Sequence, residues 1–331
     1  MTFDSNILSN FSTTNKRLIA RIISTVESGN EISIQILKLL YSKTGNAFRI
    51  GITGPPGAGK STITNQITKH FLSLGKSVAI IAVDPTSPFS GGALLGDRVR
   101  MNDIGMLDNV YIRSVATRGS LGGLSQKAID IADVLDAAGF DYIIFETVGV
   151  GQSELDIAKI AHTTIVTLVP ESGDAIQAMK AGLMEIADLF VINKCDRPEA
   201  SKAFSSLQSS LQLRNFSSSD WQPPIIKTSA ISNIGITELV KSIFEHRKYC
   251  SNNPNCLKNR IEYTKERIIT IISELVKKEM FTNNLVVTNE TIEEVISGNL
   301  SPYILAEQIL SNYKSNFINN DNSSLFMPFI K

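Results

Sequence analysis

The chain has 331 residues, of which 43% are hydrophobic and 19% are charged, as expected for a globular protein of about two domains. Its 32 basic residues balance its 32 acidic residues. Because a chain without net charge has no overall field to attract a polyanion, we predict no nucleic-acid partner and no membrane partner.

The predicted elements begin with helices and continue as an alternation of strands and helices. Apolar side chains recur at helical spacing over residues 16–45, so we expect an N-terminal helical arm over residues 1–45. Between residues 46 and 248, apolar runs alternate with helix-length segments, which is typical of an α/β fold whose mostly parallel central sheet is flanked by helices. The predicted strands are 48–53, 78–83, 110–114, 142–146, 165–169, 189–193 and 225–228.

Residues 249–331 predict a C-terminal helical extension. A long helix is expected over residues 257–280, and shorter helices are expected near 290–296 and 302–313. This region has too few strand-forming runs for a second α/β domain. We therefore expect one α/β domain with helical segments before and after it.

A glycine-rich segment follows the first predicted strand and opens the next helix. It fits the pattern G-x-x-x-x-G-K-[ST], in which backbone N–H groups bind phosphate oxygens and the lysine reaches the β- and γ-phosphates. The strand–loop–helix context makes a glycine turn without function the weaker interpretation. The sequence therefore predicts a P-loop NTPase. The expected nucleotide contacts are Gly54, Pro55, Pro56, Gly57, Ala58, Gly59, Lys60, Ser61 and Thr62.

Acidic residues near the ends of neighbouring strands predict a magnesium site beside this loop. Asp84 and Glu146 each end an apolar run, and Asp97 lies in a glycine-rich segment. Ligands of an open parallel sheet bind at the carboxyl ends of its strands, and Mg²⁺ prefers oxygen ligands. Each acid alone could equally be a helix cap or a solvated loop residue. Together with the P-loop, they predict Mg²⁺ held by Ser61, Asp84, Asp97 and Glu146.

Gly149 lies three residues after Glu146 and predicts a segment that changes its contacts when the nucleotide is hydrolysed. A glycine three residues after a strand-end acid can donate its N–H to the γ-phosphate and lose that contact after hydrolysis. An ordinary strand-to-helix turn is the alternative interpretation. We predict that Lys60, Glu146 and Gly149 take part in catalysis.

A second loop predicts recognition of guanine. Asn193, Lys194 and Asp196 form the pattern N-K-x-D after an apolar run. The Asp196 carboxylate can accept hydrogen bonds from guanine N1–H and the exocyclic amine, which are donors that adenine does not present there. The Lys194 stem can cover the ring, and Asn193 can join the loop to the phosphate region. These features predict GTP and GDP as the nucleotides. Further contacts are expected from Ser229, Ala230 and Ile231.

Longer strings around these motifs resemble one family. Over about residues 16–313 the chain resembles the MeaB/ArgK-type GTPases, which are the methylmalonyl-CoA mutase-associated G proteins. The string ETVGVGQSE over residues 146–154 is highly specific. The other strings that carry the resemblance are RIGITG at 49–54, DPTS at 84–87, GGALLGDRVRM at 91–101, TRGSLGG at 117–123 and ESGDAIQAMKAG at 171–182.

The resemblance implies a function and partners. It implies a GTPase that acts as a chaperone of an adenosylcobalamin-dependent acyl-CoA mutase, in which GTP hydrolysis gates cofactor loading and protects or reactivates the mutase. It also implies a homodimer supported by the C-terminal helices. A further switch would couple to the partner through Asp174, Gln177 and Lys180, although spacing alone favours a solvated helix face for these three residues.

Other functional classes stay open. One alternative is a transport-associated ATPase or kinase, which the guanine motif fits poorly. A second is a metallochaperone GTPase, which needs a histidine-rich tract or paired cysteines that the sequence lacks. A third is a nucleotide-binding scaffold without turnover.

The cysteine spacing and the lack of a signal-peptide pattern favour an intracellular protein. Cys195, Cys250 and Cys256 lack Cys-x-x-Cys spacing, so we expect neither a disulfide framework nor a thiolate zinc site, and a reducing compartment is favoured. The N-terminus shows no signal-peptide pattern, and the apolar runs are shorter than the ~18 residues of a membrane span. We therefore predict a cytoplasmic location. The three histidines are scattered and show no metal-ligand spacing, so we expect surface or hydrogen-bonded core positions for His70, His162 and His246.

Overall fold

The computed structural model describes most of the chain. The described residues are 11–85, 102–117, 126–147, 153–170, 182–214, 217, 220–282 and 287–320. The chain divides into two compact units, Met1–Leu257 and Lys258–Lys331. Five of the predicted site residues lie outside the described ranges, namely Asp97, Gly149, Asp174, Gln177 and Lys180.

Seven strands form one parallel sheet in the first unit, which confirms the predicted α/β fold. Their order across the sheet is β3-β2-β4-β1-β5-β6-β7, and every pairing is parallel. All seven predicted runs are strands, although β2 and β3 extend further than predicted. The strands are β1 (Phe48–Thr53), β2 (Val78–Pro85), β3 (Val110–Thr117), β4 (Tyr142–Thr147), β5 (Thr163–Leu168), β6 (Leu189–Ile192) and β7 (Ile225–Lys227).

Helices cover both faces of this sheet. Those of the first unit are α1 (Lys16–Ser28), α2 (Glu31–Leu40), α3 (Lys60–Ser73), α4 (Asn102–Gly105), α5 (Gln126–Ala137), α6 (Ser153–Ile160), α7 (Leu183–Ile186), α8 (Ala200–Gln212) and α9 (Ile236–Asn252). Side chains of α1, α2, α5 and α6 form one apolar cluster with the strands, and α3, α4 and α9 contribute to a second cluster. Because strand side chains alternate in direction, Ile81 of β2 joins the first cluster and Ile80 joins the second.

The N-terminal helices are set by local capping. The Asn15 side chain accepts a hydrogen bond from Leu18 N at 3.1 Å and so caps α1, which ends at Gly29 in the left-handed region. Asn30 caps α2 by accepting from Ser33 N at 2.9 Å. The buried side of α1 packs on α5, so the predicted arm contributes to the core of the first unit.

The described part of the second unit is helical. Its helices are α10 (Pro254–Thr282), which begins just before the unit boundary, α11 (Asn289–Ile296) and α12 (Pro302–Asn320). These elements confirm the three helices predicted from the apolar spacing. Among the residues that the structure describes, no helix is both long enough and apolar enough to cross a bilayer.

One expectation about the cysteines is wrong. Cys250 and Cys256 are paired as a disulfide, with their Cα atoms 5.4 Å apart, whereas Cys195 is a free thiol. The sequence spacing gives no sign of this pair because the pairing depends on a break between two helices. Asn253 has an extended backbone and separates α9 from α10.

Candidate nucleotide-binding site

The glycine-rich loop connects the central strand β1 to α3. Gly54 has φ 133° and Gly59 has φ 85°, a region that favours glycine. A side chain at Gly54 would collide with the Thr167 carbonyl of β5, and one at Gly59 would collide with the Asn193 amide. The loop therefore curls against the neighbouring strand ends and presents the N-terminus of α3, which is the geometry that binds phosphate.

Lys60 is the first residue of α3 and folds back over this loop. Its side-chain amine donates hydrogen bonds to the carbonyls of Gly54 at 2.7 Å and Pro55 at 2.9 Å, and Lys60 is only 6% exposed. The positive charge is thus fixed at the start of the loop. A phosphate group bound by the loop would meet this charge.

Ser61 and Glu146 meet beside the loop. The Ser61 hydroxyl donates to Glu146 Oε1 at 2.5 Å, and Glu146 is 5% exposed near the end of β4. Asp84 stands on the adjacent strand β2, two positions beyond Ala82, the register partner of Glu146. The hydroxyl of Ser61 and the carboxylate of Glu146 are oxygen ligands of the kind that Mg²⁺ prefers, so this pair fits a magnesium ion.

A hydroxyl pair links the strands that carry these groups. Thr147 Oγ1 donates to Thr53 Oγ1 at 2.9 Å, and both side chains are fully buried. Thr53 ends β1 directly before the loop, and Thr147 follows Glu146 at the end of β4. The position of Glu146 relative to the loop is therefore fixed by a buried hydrogen bond.

Asn193 holds three loops together. Its Nδ2 donates to the Ala58 carbonyl at 2.9 Å, and its Oδ1 accepts from Thr228 Oγ1 and Ala230 N at 3.1 Å each. The side chain is 3% exposed. Asn193 thus fixes the loop after β6 and the loop after β7 against the glycine-rich loop.

The rest of the N-K-x-D segment is less buried than Asn193, with Lys194 and Cys195 half-buried. Lys194 has φ 58°, an uncommon conformation for a residue with a side chain, and Cys195 N donates to the Thr228 carbonyl at 2.9 Å. Asp196 is exposed. A turn of this kind leaves its carboxylate available to a ligand.

The loop after β7 is closed by its own hydrogen bonds. Ser229 and Ile234 exchange backbone hydrogen bonds at 3.0 and 3.1 Å, and Gln66 of α3 donates its side-chain amide to the Ala230 carbonyl at 2.9 Å. Ser229 and Ala230 are buried, whereas Ile231 is 88% exposed. The three predicted contact residues therefore lie in a fixed loop that is tied to α3.

Glu154 is a buried carboxyl that the motif analysis did not single out. It lies in the first turn of α6 and is 8% exposed. Burial raises the pKa of Glu154, and the charge of Lys60 partly offsets that increase. Gln66, Thr53 and Thr147 were missed as well, because no sequence pattern distinguishes a tertiary hydrogen bond from an ordinary surface polar group.

The structure brings most of the described site residues to one edge of the sheet. Residues 54–62, the loop at 193–196 and the loop at 229–231 follow the carboxyl ends of β1, β6 and β7, and Glu146 lies near the carboxyl end of β4. Asp84 lies at the corresponding end of β2.

Comparison with known proteins identifies the family. Residues 19–285 match the family model described as "Methylmalonyl Co-A mutase-associated GTPase MeaB". The chain belongs to the MeaB family of GTPases. A putative GTPase of Pyrococcus abyssi is 44% identical over 298 residues, which cover 89% of this chain and 92% of the relative.

Two further comparisons extend this result. The mouse protein named "Methylmalonic aciduria type A homolog, mitochondrial" is 36% identical over 273 residues, which cover 81% of this chain and 66% of that protein. The crystal structure of a protein named "LAO/AO transport system kinase" superposes with a TM-score of 0.70 at 28% identity and covers 97% of this chain and 100% of that one. Membership in this GTPase family implies binding of GTP and GDP.

Proposed function

We propose that this MeaB-family GTPase is a Mg²⁺-dependent switch that serves as a chaperone of an adenosylcobalamin-dependent acyl-CoA mutase of the methylmalonyl-CoA type. In this function, GTP hydrolysis gates the loading of the cofactor and protects or reactivates the mutase. The observation that carries the proposal is the match of residues 19–285 to a family described as mutase-associated. The similarity to the mouse methylmalonic aciduria type A homolog supports it.

Each part of the site has a proposed task in hydrolysis. The loop from Gly54 to Thr62 binds the phosphates, and the fixed amine of Lys60 stabilises negative charge that develops on the γ-phosphate as water attacks in line. Asp196 accepts hydrogen bonds from guanine, and Lys194 covers its ring. The wall beside guanine is formed by Ser229, Ala230 and Ile231. The N–H of Ala230 donates to the Asn193 side chain.

Ser61, Glu146, Asp84 and Asp97 are the residues proposed to hold Mg²⁺, directly or through water. The 2.5 Å contact between Ser61 and Glu146 brings two oxygen ligands together, which supports this assignment. When bound, the ion would neutralise charge on the phosphates. Gly149 is proposed to donate its N–H to the γ-phosphate, and Asp174, Gln177 and Lys180 are proposed to couple the nucleotide state to the mutase.

The exposed apolar residues of α10 support a proposed homodimer. Ile261, Ile268, Ile272 and Leu275 recur at helical spacing and are each between 45% and 53% exposed. An apolar row of this length on a soluble helix favours burial against a second copy. In this proposal residues 249–331 form the dimerisation extension, residues 46–248 the GTPase domain and residues 1–45 the arm.

The test of the chaperone function is a turnover measurement with a partner. GTP hydrolysis by the purified protein is measured alone, with a methylmalonyl-CoA mutase, and with an unrelated acyl-CoA enzyme as the matched control. We expect the mutase alone to raise the rate by about tenfold or more, as couplings between partners commonly do. Equal rates with the two enzymes would contradict the chaperone proposal and leave the GTPase assignment intact.

The name of one structural relative favours a second candidate function. Similarity to the "LAO/AO transport system kinase" raises a transport-associated kinase as the alternative. A titration with GTP and ATP separates the two candidates, because Asp196 pairs with donors that only guanine presents. Tighter binding of ATP than of GTP would favour the kinase.

A further inference from the structure

A cluster of polar and sulfur groups lies at the opposite edge of the sheet from the nucleotide site. Cys250 is in the last turn of α9 and Cys256 is in the first turn of α10, and both are only partly buried. The disulfide between them spans the break at Asn253. Neither cysteine is fully buried, so part of each residue is accessible to solvent.

His246 lies one helical turn before Cys250 and faces its sulfur. Its Nε2 is 3.5 Å from Cys250 Sγ and 3.3 Å from Asp188 Oδ1, and its Nδ1 is 2.8 Å from Thr163 Oγ1. The imidazole is 3% exposed. Both ring nitrogens thus have fixed partners, and Nε2 is shared between a carboxylate and a sulfur atom.

The remaining contacts hold Asp188 in place. Its Oδ2 accepts from Thr164 N at 2.7 Å, and its carbonyl accepts from the indole N–H of Trp221 at 2.7 Å. The Trp221 ring lies 4.9 Å from the His246 ring. Thr163 opens β5 and Asp188 precedes β6, so the cluster is at the amino ends of the strands, whereas the nucleotide loops follow their carboxyl ends.

We propose that Cys250 and Cys256 are a reversible thiol–disulfide modification site, in which His246 takes the proton of the Cys250 thiol and a low-molecular-weight disulfide is the oxidant. An imidazole within reach of a thiol favours the thiolate, which is the nucleophile in disulfide exchange. A disulfide that forms in a reducing compartment is commonly reversible and redox-sensing.

The exchange balances in two steps. The Cys250 thiolate attacks one sulfur of the external disulfide, whose S–S bond breaks to release one thiolate and leave a mixed disulfide on Cys250. The Cys256 thiolate then attacks Cys250 Sγ, releases the second external thiolate and closes the bond between the two cysteines. Two electrons pass from the cysteines to the external disulfide, and the two thiol protons finish on the released thiols. A dithiol reductant reverses the reaction.

The first test uses glutathione as the probe on the full-length protein in the presence of EDTA. The protein is reduced, equilibrated with mixtures of reduced and oxidised glutathione, alkylated and analysed by peptide mass spectrometry. We expect Cys250 and Cys256 to become linked while Cys195 stays a thiol, and we expect dithiothreitol to restore both thiols. A pair that remains reduced at every ratio would overturn the proposal.

Single cysteine variants test the order of the steps. In Cys256→Ser the second step is blocked, so glutathione should accumulate on Cys250. In the matched Cys250→Ser variant, the rate at which glutathione adds to Cys256 should be lower by about tenfold or more, because His246 faces Cys250 and not Cys256. Equal rates of addition in the two variants would contradict activation at Cys250. The emission of Trp221, the single tryptophan of the chain, checks that each variant is folded.

A histidine variant tests the base. His246→Gln should lower the alkylation rate of Cys250 in the reduced protein by about tenfold or more. The rate at Cys195 is the internal reference, and His70→Gln on α3 is the matched control. An unchanged alkylation rate at Cys250 in folded His246→Gln would overturn the role of His246. If His246→Gln does not fold, the addition of glutathione to Cys256→Ser still tests the cysteine pair.

Discussion

The side-chain nitrogen of Asn193 lies 2.9 Å from the carbonyl oxygen of Ala58 and joins the loop after β6 to the glycine-rich loop. The same amide accepts two hydrogen bonds from the loop after β7. One buried side chain therefore sets the separation between the proposed phosphate and guanine contacts. Ligands that span both contacts depend on this separation.

Asn193→Ala should weaken both folding and nucleotide binding. The change removes three buried hydrogen bonds and leaves Ala230 N without this acceptor, so we expect a loss of about 2–3 kcal/mol in the free energy of unfolding. GTP affinity should fall by about tenfold or more, as measured with a fluorescent GTP analogue. Asn46→Ala, in an exposed turn, is the matched control. Unchanged affinity in Asn193→Ala would show that the three loops are held by other contacts.

Lys60→Ala should abolish most of the turnover. The amine of Lys60 is the positive charge that the structure fixes on the glycine-rich loop, and its loss should lower the rate of GTP hydrolysis by about 100-fold or more. Phosphate release under saturating GTP measures this effect. Lys76→Ala, at an exposed ion pair with Asp141, is the control and should keep the wild-type rate. Turnover near wild type in Lys60→Ala would assign hydrolysis to another site.

Glu146→Gln should raise the requirement for magnesium. The amide keeps a polar group beside Ser61 but removes the charge, so the Mg²⁺ concentration for half-maximal hydrolysis should increase by about tenfold or more. A magnesium titration of GTPase activity measures the shift, and exposed Glu185→Gln is the control. If both variants gave the same magnesium curve, the assignment of Glu146 to the ion would be wrong.

Glu154→Gln should become more stabilising as the pH rises. Burial raises the pKa of Glu154 in the folded protein, and the positive charge of Lys60 offsets part of this rise. The raised pKa adds to the free energy of unfolding, and this contribution is complete below pH 4.5, the ordinary pKa of the group. The contribution is lost as the pH rises through the higher pKa of the folded state. A neutral amide avoids this loss, so the unfolding free energy of the variant should exceed that of the wild type increasingly toward neutral pH.

Urea unfolding at a series of pH values measures this difference. Exposed Glu245→Gln is the control and should follow the wild type at every pH. A difference between Glu154→Gln and the wild type that shrinks as the pH rises would contradict the raised pKa.

Gly51→Ala should destabilise the packing of α6 on β1. An added Cβ would lie 2.8 Å from Ile157 Cγ1, and both residues are in the buried interior. We expect a loss of about 1–3 kcal/mol in unfolding free energy, because overpacking forces neighbouring atoms to shift. Gly105→Ala, where the nearest atom is at 3.6 Å, is the matched control.

A double variant identifies the cause of this loss. Ile157→Ala removes the contacted atoms, so Gly51→Ala combined with Ile157→Ala should lose less stability than the sum of the two single variants. Additive losses would show that the effect of Gly51→Ala arises elsewhere.

The sequence alone determined the fold class, the family and the places where the site elements occur. Apolar runs such as 78–83 and 142–146 identify strands because strands buried on both faces require continuous apolar side chains. The glycine-rich loop and N-K-x-D predict the nucleotide because their residue types are required locally, by backbone conformation and by hydrogen-bonding chemistry.

Only the tertiary structure decided which distant residues meet. The links from Asn193 to Ala58, from Thr53 to Thr147 and from Gln66 to Ala230 span up to 164 residues, and no local pattern marks them. The disulfide of Cys250 and the burial of Glu154 depend in the same way on how distant elements pack and where helices end. Local sequence fixes conformation and chemistry, whereas contacts between elements are set by how the sheet orders its strands.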